Sequence, residues 1–208
     1  MTCIGEQAFF NCRSIERINI PESVTIIEKN AFSGCYKLKR IVIPSGITHI
    51  NDYTFSYCIG LKSVKIPNGV LSIGWYAFAG CRSLKSVKIP NSVTILKDHA
   101  SYSCDSLKSV SIPDSVKSIG MSAFGDCENL KKVTIGKNVK EIHEYAFQDC
   151  RKLKTINIKT TKLKSKTVGD YAFRNINKKA TVNVLKAKKK AYMKWIYKKG
   201  FTKKVKIK

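Results

Sequence analysis

One phrase returns every 23 residues along the chain, and this fixed period limits the possible folds more than any other feature of the sequence. The clearest copy starts at Ile73 and reads IGWYAFAGCRSLKSVKIPNSVTI. Related copies begin at Ile4, Ile27, Ile50, Leu96, Ile119 and Ile142. A period between about 20 and 50 residues is typical of solenoids, in which each repeat buries its apolar side against its neighbours. The sequence therefore predicts a stack of similar coils.

Each copy contains an apolar strand pattern followed by a turn. The spacing L-x-x-V-x-I, as in Leu84, Val87 and Ile89, ends in the alternation that a strand with one buried face requires. A proline then stops the strand because it has no N–H to donate. These prolines are Pro21, Pro44, Pro67, Pro90 and Pro113, until Gly136 and Lys159 replace them. A second apolar pair follows, as in Val93 and Leu96.

An Ala-Phe-x-x-Cys segment completes each copy and is long enough for a single helical turn. An acidic residue two places before the Ala suits the positive end of such a turn. These acids are Glu6, Asp52, Asp98, Glu144 and Asp170. One copy departs from the pattern, because LKDHASYSC places Ser101 where the other copies have Phe. We expect a local weak point there, with Tyr102 filling the space of the missing ring.

The motif L-x-x-V-x-I-P-x-x-V-x-x-I-G-x-x-A-F-x-x-C resembles the BspA-like, treponemal-type leucine-rich repeat from residue 4 to about residue 159. The resemblance implies an α/β fold: a right-handed leucine-rich-repeat solenoid with a parallel sheet on its concave face and short helical turns. About seven repeats and a C-terminal cap are expected. Such repeats occur mostly in secreted or surface-attached bacterial proteins with adhesive or other binding roles. The resemblance thus implies an extracellular or cell-surface location, with any signal or anchor outside this segment.

The charge distribution and a slip in the period divide the chain near residue 160. The formal net charge is +25, and residues 160–208 hold 17 of the 39 basic residues but a single acid, Asp170. The next copy of the motif begins at Val168, 26 residues after Ile142. We predict the repeat solenoid over residues 1–159, and an atypical last repeat with a basic cap over residues 160–208, both in one structural domain. The cap pattern predicts a strand, a helix and a strand.

The reactive residue types show no catalytic or metal-binding pattern. Seven of the eight cysteines recur one per copy, whereas metal ligands come in close pairs and stacked side chains do not face each other for a disulfide. They predict a column of small, reduced, buried thiols. The histidines His49, His99 and His143 lie in different copies, and no phosphate-binding glycine motif occurs. We expect no enzyme activity, no cofactor and no metal.

Aromatic residues recur just before the Ala-Phe pair, at Tyr53, Tyr76, Tyr145 and Tyr171, with Trp75 beside one of them. Stacked aromatic rings suit packing over the turns, and a sugar or peptide ligand is the alternative. Nucleic acid is not favoured as a partner, because Tyr192 and Trp195 lie on the apolar face of the predicted cap and are not available for stacking on bases. No stretch approaches the ~18 apolar residues of a transmembrane segment.

Basic residues also recur at equivalent positions of the repeat, and these positions predict a binding surface. One column follows the first Leu of each strand motif and consists of Lys39, Lys62, Lys85, Lys108, Lys131 and Lys154. The outward strand positions add Arg17, Arg40, Lys65, Lys88, Lys132 and Thr134. An acidic partner would recognise such a strip, and a solvated, solubilising edge is the alternative.

These patterns predict a binding module that contacts a protein ligand, such as a host surface or matrix protein, through the strand face. The alternative is a structural or wall-associating module that binds an anionic polysaccharide or cell-wall polymer.

Overall fold

The computed structural model describes residues 2–208 as a stack of coils built from parallel strands, with helices only beyond residue 164. The strands are β1 Cys3–Ile4, β2 Ile26–Ile27, β3 Arg40–Val42, β4 His49–Ile50, β5 Ser63–Lys65, β6 Ser72–Ile73, β7 Ser86–Val87, β8 Ile95–Leu96, β9 Ser109–Ile112, β10 Ser118–Ile119, β11 Lys132–Ile135, β12 Glu141–Ile142, β13 Thr155–Ile158, β14 Thr181–Val184 and β15 Lys206–Ile207. Helix α1 is Lys189–Met193, and 3-10 helices span Ser165–Thr167, Lys186–Lys188 and Ile196–Lys199.

The L-x-x-V-x-I motifs form one face of the stack, which we call the front sheet. It comprises β3, β5, β7, β9, β11, β13, β14 and β15, preceded by the bridge residue Arg17. The strands pair in parallel with the motif in register, so that Val64 lies opposite Val87 and Val110 opposite Val133. The face consists of two hydrogen-bonded sheets, β3–β5–β7 and β9–β11–β13–β14–β15, and the Lys108 amide connects them by donating to the Lys85 carbonyl at 3.4 Å. The predicted parallel solenoid is confirmed.

The second apolar pair of each repeat forms a ladder of its own, which the sequence analysis does not anticipate. This side ladder consists of the pair β1 and β2 and of the five-stranded sheet β4, β6, β8, β10 and β12, and each strand is two residues long. Its inner residues, such as Ile50 and Ile73, are buried and its outer residues face solvent. The proline between the ladders makes the corner, since the Val70 amide donates to the Pro67 carbonyl at 3.2 Å.

The Ala-Phe segments form consecutive turns instead of the helical turn predicted from the sequence. Tyr53 has a φ of 59° and Tyr57 has a φ of 55°, in the left-handed region that interrupts an α-helix. Successive backbone amides donate alternately within the turn and to the next coil. The Ser56 amide donates to the Tyr53 carbonyl of its own turn at 3.0 Å, and the Phe55 amide donates to the Ala77 carbonyl of the next coil at 2.9 Å. The bonds to the next coil replace those that a helix would make.

The acidic residues before these turns therefore have no helix to cap, and their predicted role is wrong. Asp52 Oδ1 accepts a hydrogen bond from the Trp75 amide at 2.8 Å. Asp98 Oδ1 accepts one from the Met121 amide at 2.7 Å. Each of these two carboxylates thus joins its own coil to the backbone of the next one.

The periodic phenylalanines form a buried stack along the turn side. Ring centroids are 5.1 Å apart for Phe9 and Phe32, 5.5 Å for Phe32 and Phe55, 5.4 Å for Phe55 and Phe78, 5.6 Å for Phe124 and Phe147, and 5.3 Å for Phe147 and Phe173. Ser101, which is buried, interrupts the stack between Phe78 and Phe124.

Tyr102 does not replace the missing ring, so that expectation is wrong. Its ring is half-buried and meets the edge of the His99 ring at 5.5 Å. It occupies the column in which the neighbouring coils have Ala79 and Gly125, and these small residues leave it room. The side chains of consecutive turn residues point in different directions. Tyr102 therefore does not occupy the core position of Ser101, although it is the next residue in the sequence.

The C-terminal residues close the stack with the predicted order of strand, helix and strand. The slip of the period is accommodated because Val168 bridges to Ile142. The buried Tyr192 hydroxyl of α1 donates to the Thr160 carbonyl at 2.8 Å, which attaches the helix to the last coils. The Phe201 ring lies 4.4 Å from Phe173 and ends the phenylalanine stack.

We expect Phe55→Ala to lower the free energy of unfolding by about 3 to 5 kcal/mol, because Phe55 is fully buried between two stacked rings. The matched control is Ser101→Ala, a buried position of the same column that carries no ring itself, and it should cost less than about 1 kcal/mol. Chemical denaturation followed by circular dichroism measures both values. Similar losses for the two variants would show that the ring stack contributes nothing special to stability.

Candidate interaction surface

The predicted contact residues fall into two adjacent columns on the solvent side of the front sheet. Arg17, Arg40 and Lys132 belong to one column, and Lys65, Lys88 and Thr134 belong to the other. The basic side chains are exposed. Thr134 is half-buried, and its Oγ1 accepts a hydrogen bond from Asn157 at 3.4 Å. The middle of the first column is filled by Ser63, Ser86 and Ser109.

The six repeated lysines form a continuous lysine row beside these columns. Each row residue after Lys39 donates its backbone N–H to the carbonyl of the row residue before it, as Lys62 does to Lys39 at 2.9 Å and Lys131 to Lys108 at 2.8 Å, whereas Lys39 donates to the Glu16 carbonyl at 3.0 Å. Every lysine of the row is exposed. Within residues 2–208, Lys39 is the one row member whose ammonium group has an ion pair, with Glu16 at 2.7 Å. The other five ammonium groups are available to a partner.

The pairing with Lys39 changes the titration of Glu16. The hydrogen bond from Lys39 lowers the pKa of the Glu16 carboxyl below its usual range, and the positive charges of Lys39, Lys37 and Arg17 lower it further. Glu16 therefore stays ionised at neutral pH.

A shallow depression lies where the lysine row meets the first strands of the front sheet. We call it the front groove; it has a volume of about 460 Å³ and is lined by Glu16, Arg17, Lys39, Arg40, Lys62 and Ser63. Four of these residues, Arg17, Lys39, Arg40 and Lys62, are among the contact residues predicted from the sequence, whereas the groove itself is not predicted. Its residues come from three different repeats, so only the stacking of the coils shows that they share a concave site.

Six of the seven cysteines of the predicted column are buried, and Cys12 in the first coil is half-buried; the column lies between the turns and the front sheet. Each buried thiol donates to a carbonyl of the preceding coil, as Cys58 does to Phe32 and Cys81 to Phe55, both at 3.2 Å. Burial raises the pKa of Cys81 to about 12 and that of Cys35 to about 11. A thiol with a raised pKa is a weak nucleophile at neutral pH, so the column is structural.

The aromatic residues before the Ala-Phe pairs pack mainly on one another. Ring centroids are 4.9 Å apart for Tyr53 and Tyr76, and 4.4 Å apart for Tyr76 and His99. The Lys97 ammonium lies 4.5 Å from the centre of the Trp75 ring. Since neighbouring rings cover these faces, the geometry supports the packing interpretation over a ligand platform.

Two further features of residues 2–208 concern metals and membranes. No three side chains among their His, Cys, Asp and Glu residues come together in a way that would hold a metal ion. None of the helices in this part of the chain has the length and apolar character needed to cross a membrane.

The stacked parallel strands, the buried leucines that begin each L-x-x-V-x-I motif and the alternating turns define a leucine-rich-repeat solenoid. The family model described as BspA type leucine rich repeat region matches residues 1–107 and 95–207 with six copies. The chain therefore belongs to the BspA-type leucine-rich-repeat family, whose repeats indicate a module that binds proteins. A search of curated proteins found no match.

Solved structures of bacterial proteins share this fold. A leucine-rich repeat protein from Bacteroides ovatus is 35% identical with a TM-score of 0.82, and the match covers 89% of this chain and 47% of that protein. The T. pallidum leucine rich repeat protein is 30% identical with a TM-score of 0.67, over 73% of this chain and 70% of that one. The pneumococcal vaccine antigen PcpA, at 20% identity and a TM-score of 0.70 over 90% and 54%, shares the fold. The chain thus spans about half the length of the Bacteroides protein.

The burial of the thiols generates a labelling prediction. In the native protein, Ellman's reagent at neutral pH should modify Cys3, which is exposed, and more slowly Cys12, which is half-buried. The six buried cysteines should react only after denaturation, because their thiols are inaccessible to the reagent. Mass spectrometry of the labelled peptides identifies the modified residues. Rapid native labelling of Cys81 would contradict the buried column.

Proposed function

We propose that this chain is the recognition part of a secreted or surface-attached bacterial protein, and that its front sheet binds a partner protein that presents acidic groups. Such a partner is a host surface or matrix protein. The observation that carries the proposal is the lysine row lying in register beside two columns that present exposed basic side chains on the same sheet face. The extracellular location is part of the proposal and is supported by the family to which the repeats belong.

The charge of this face favours an acidic partner. Five of the six row lysines have no ion pair within residues 2–208, and Lys65, Lys88 and Lys132 are exposed next to them. Unpaired cations aligned on one surface attract an anionic partner during its approach and help to set its orientation. The flat, repeated strand face of a solenoid provides an extended contact area for such a partner.

The residues of this face are tested by charge-removing variants compared in one capture experiment. We expect Lys65→Gln, Lys88→Gln and Lys132→Gln together to reduce capture of the partner from host extracellular and cell-wall extracts by about tenfold or more. The matched control removes three exposed lysines on other faces, in Lys29→Gln, Lys117→Gln and Lys140→Gln. Capture is measured at low and high salt by quantitative mass spectrometry. Equal reduction in both variants would contradict recognition by the front sheet.

The unpaired row lysines favour one second candidate, the binding of a linear anionic polymer such as a sulfated glycan or a teichoic acid. Adjacent coils place the row at intervals of ~4.8 Å, so one polymer would contact several coils and displace counterions. The fold tolerates the row without a ligand, because each adjacent pair repels by at most about 0.9 kcal/mol in water, whereas one buried Leu contributes about 1.5 to 3 kcal/mol.

Binding of a polymer by the lysine row is distinguished from attraction by the net charge of the chain by comparing the row with lysines of the basic C-terminal cap. We expect Lys62→Gln, Lys85→Gln, Lys108→Gln and Lys131→Gln together to weaken binding of a sulfated glycan and to flatten its salt dependence. The control changes Lys186, Lys188, Lys189 and Lys190 to Gln and leaves the row intact. Affinity is measured over a series of salt concentrations. Loss of affinity in the tail variant only would reject the row, and equal loss would indicate net charge.

A further inference from the structure

Two arginines of the front sheet differ from the other arginines of the chain in having no hydrogen-bond, ion-pair or ring partner within residues 2–208, although the charge of Arg17 acts on Glu16. The chain has six arginines against 33 lysines. Four of the arginines are engaged: Arg82 with Asp105 at 3.6 Å, Arg151 with Asp149 at 3.9 Å, Arg13 over the Tyr36 ring at 5.2 Å and Arg174 over the Tyr171 ring at 5.4 Å. Within residues 2–208, the guanidinium groups of Arg17 and Arg40 make no hydrogen bond, ion pair or ring contact.

Arg17 and Arg40 are neighbours across the front sheet. Arg17 and Arg40 form a parallel bridge, so they lie opposite each other on neighbouring strands that are ~4.8 Å apart. Both side chains are exposed on the solvent side of the front sheet. Ser63 is the next residue in the same column, because it pairs with Arg40. Two arginines and a serine thus occupy one column across three coils.

The lining of the front groove adds charge around this line. Lys39 and Lys62 line the groove together with Arg17 and Arg40, so four cations face one carboxylate, that of Glu16. Glu16 is held by Lys39 at 2.7 Å, and this pair satisfies part of the charge of Lys39. The cations that remain for a ligand are chiefly Arg17, Arg40 and Lys62. The groove therefore suits a compact anion with more than one negative oxygen.

The number and direction of the donors identify the class of anion. A guanidinium group presents its N–H donors as a planar fork that matches an oxyanion with two bonds, whereas an ammonium group acts as a point charge. One planar carboxylate fits one fork. A tetrahedral oxyanion has acceptor oxygens in several directions and is able to meet two neighbouring forks at once. We propose that the front groove binds a sulfate or phosphate monoester between Arg17 and Arg40, with Lys62 and Ser63 completing the site.

This inference rests on the proposed binding role of the front sheet and gives one end of it a defined ligand chemistry. Further along the first column the arginines are replaced by Ser63, Ser86 and Ser109. No other coil of the front sheet presents two forks side by side, since the remaining four arginines lie outside its columns. The lysine row attracts anions along the whole stack, and the front groove selects the geometry of one of them.

The site is tested by NMR titration of the full chain with methyl sulfate and methyl phosphate, and with acetate as the planar comparison. We expect both esters to bind more tightly than acetate and to shift the guanidinium signals of the groove. The double variant Arg17→Gln with Arg40→Gln should weaken ester binding by about tenfold or more. Arg17→Lys with Arg40→Lys keeps the charge but removes the forks, and should weaken it as well. Whichever ester binds more tightly identifies the source of the oxyanion.

The matched control is Lys117→Gln with Lys140→Gln, which removes two exposed cations from neighbouring coils on the side ladder. This control should bind the esters like the unmodified chain, and circular dichroism should show that all variants remain folded. Equal weakening in the control, full affinity in the Arg17→Lys, Arg40→Lys variant, or acetate binding as tight as ester binding would each overturn the site.

The capture experiment on the front sheet separates this inference from the proposed function. If the Lys65→Gln, Lys88→Gln, Lys132→Gln variant loses its protein partner while the arginine variants keep full ester affinity, this inference fails and the proposed function stands. If ester binding depends on the arginines but the variant with Lys65, Lys88 and Lys132 changed to Gln still captures its partner, the proposed function fails and the site stands.

Discussion

The backbone hydrogen bonds between neighbouring coils are the interaction on which every other feature of the molecule depends. On the front sheet each coil donates to the coil before it, as the Lys62 amide does to Lys39 at 2.9 Å. On the turn side the direction is reversed, and the Phe55 amide donates to Ala77 of the coil after it at 2.9 Å. Each coil is therefore attached on both sides to its neighbours, and the register of one coil sets that of the next.

Because the register is constant, every position of the repeat becomes a column of similar side chains. Inside the molecule this arrangement is favourable, since Phe32, Phe55 and Phe78 stack on one another and the cysteine thiols reach the carbonyls of the preceding coil. On the surface the same arrangement places like charges at the spacing of the strands. The lysine row is thus a direct consequence of the geometry that builds the core, and burial of the apolar columns outweighs its repulsion.

The front sheet combines two kinds of basic surface that differ in side-chain chemistry. Lysine ammonium groups act as hydrated point charges, and a row of them attracts anions with little demand on their shape. The guanidinium groups of Arg17 and Arg40 have a fixed planar geometry and are left free where the other arginines are engaged. Under the proposed function, this surface combines long-range attraction along the stack with selection at one end.

The sequence by itself determined the stack, its period and the contents of its columns, because a repeat of fixed length places equivalent residues on top of one another. The slip before Val168, the cap built around Tyr192 and the burial of the cysteine column follow from the same pattern. Strand alternation also placed the basic strand residues on the solvent side of the front sheet, with the exposed lysine row beside them. The tertiary structure decided what depends on backbone torsion and on contacts between coils. The left-handed Tyr53 and Tyr57 convert a predicted helical turn into alternating turns, and Asp52 reaches the Trp75 amide. Tyr102 lies beside the core and not in it. The front groove also belongs to this level, because its residues are separated in the chain by whole repeats and meet only when the coils stack.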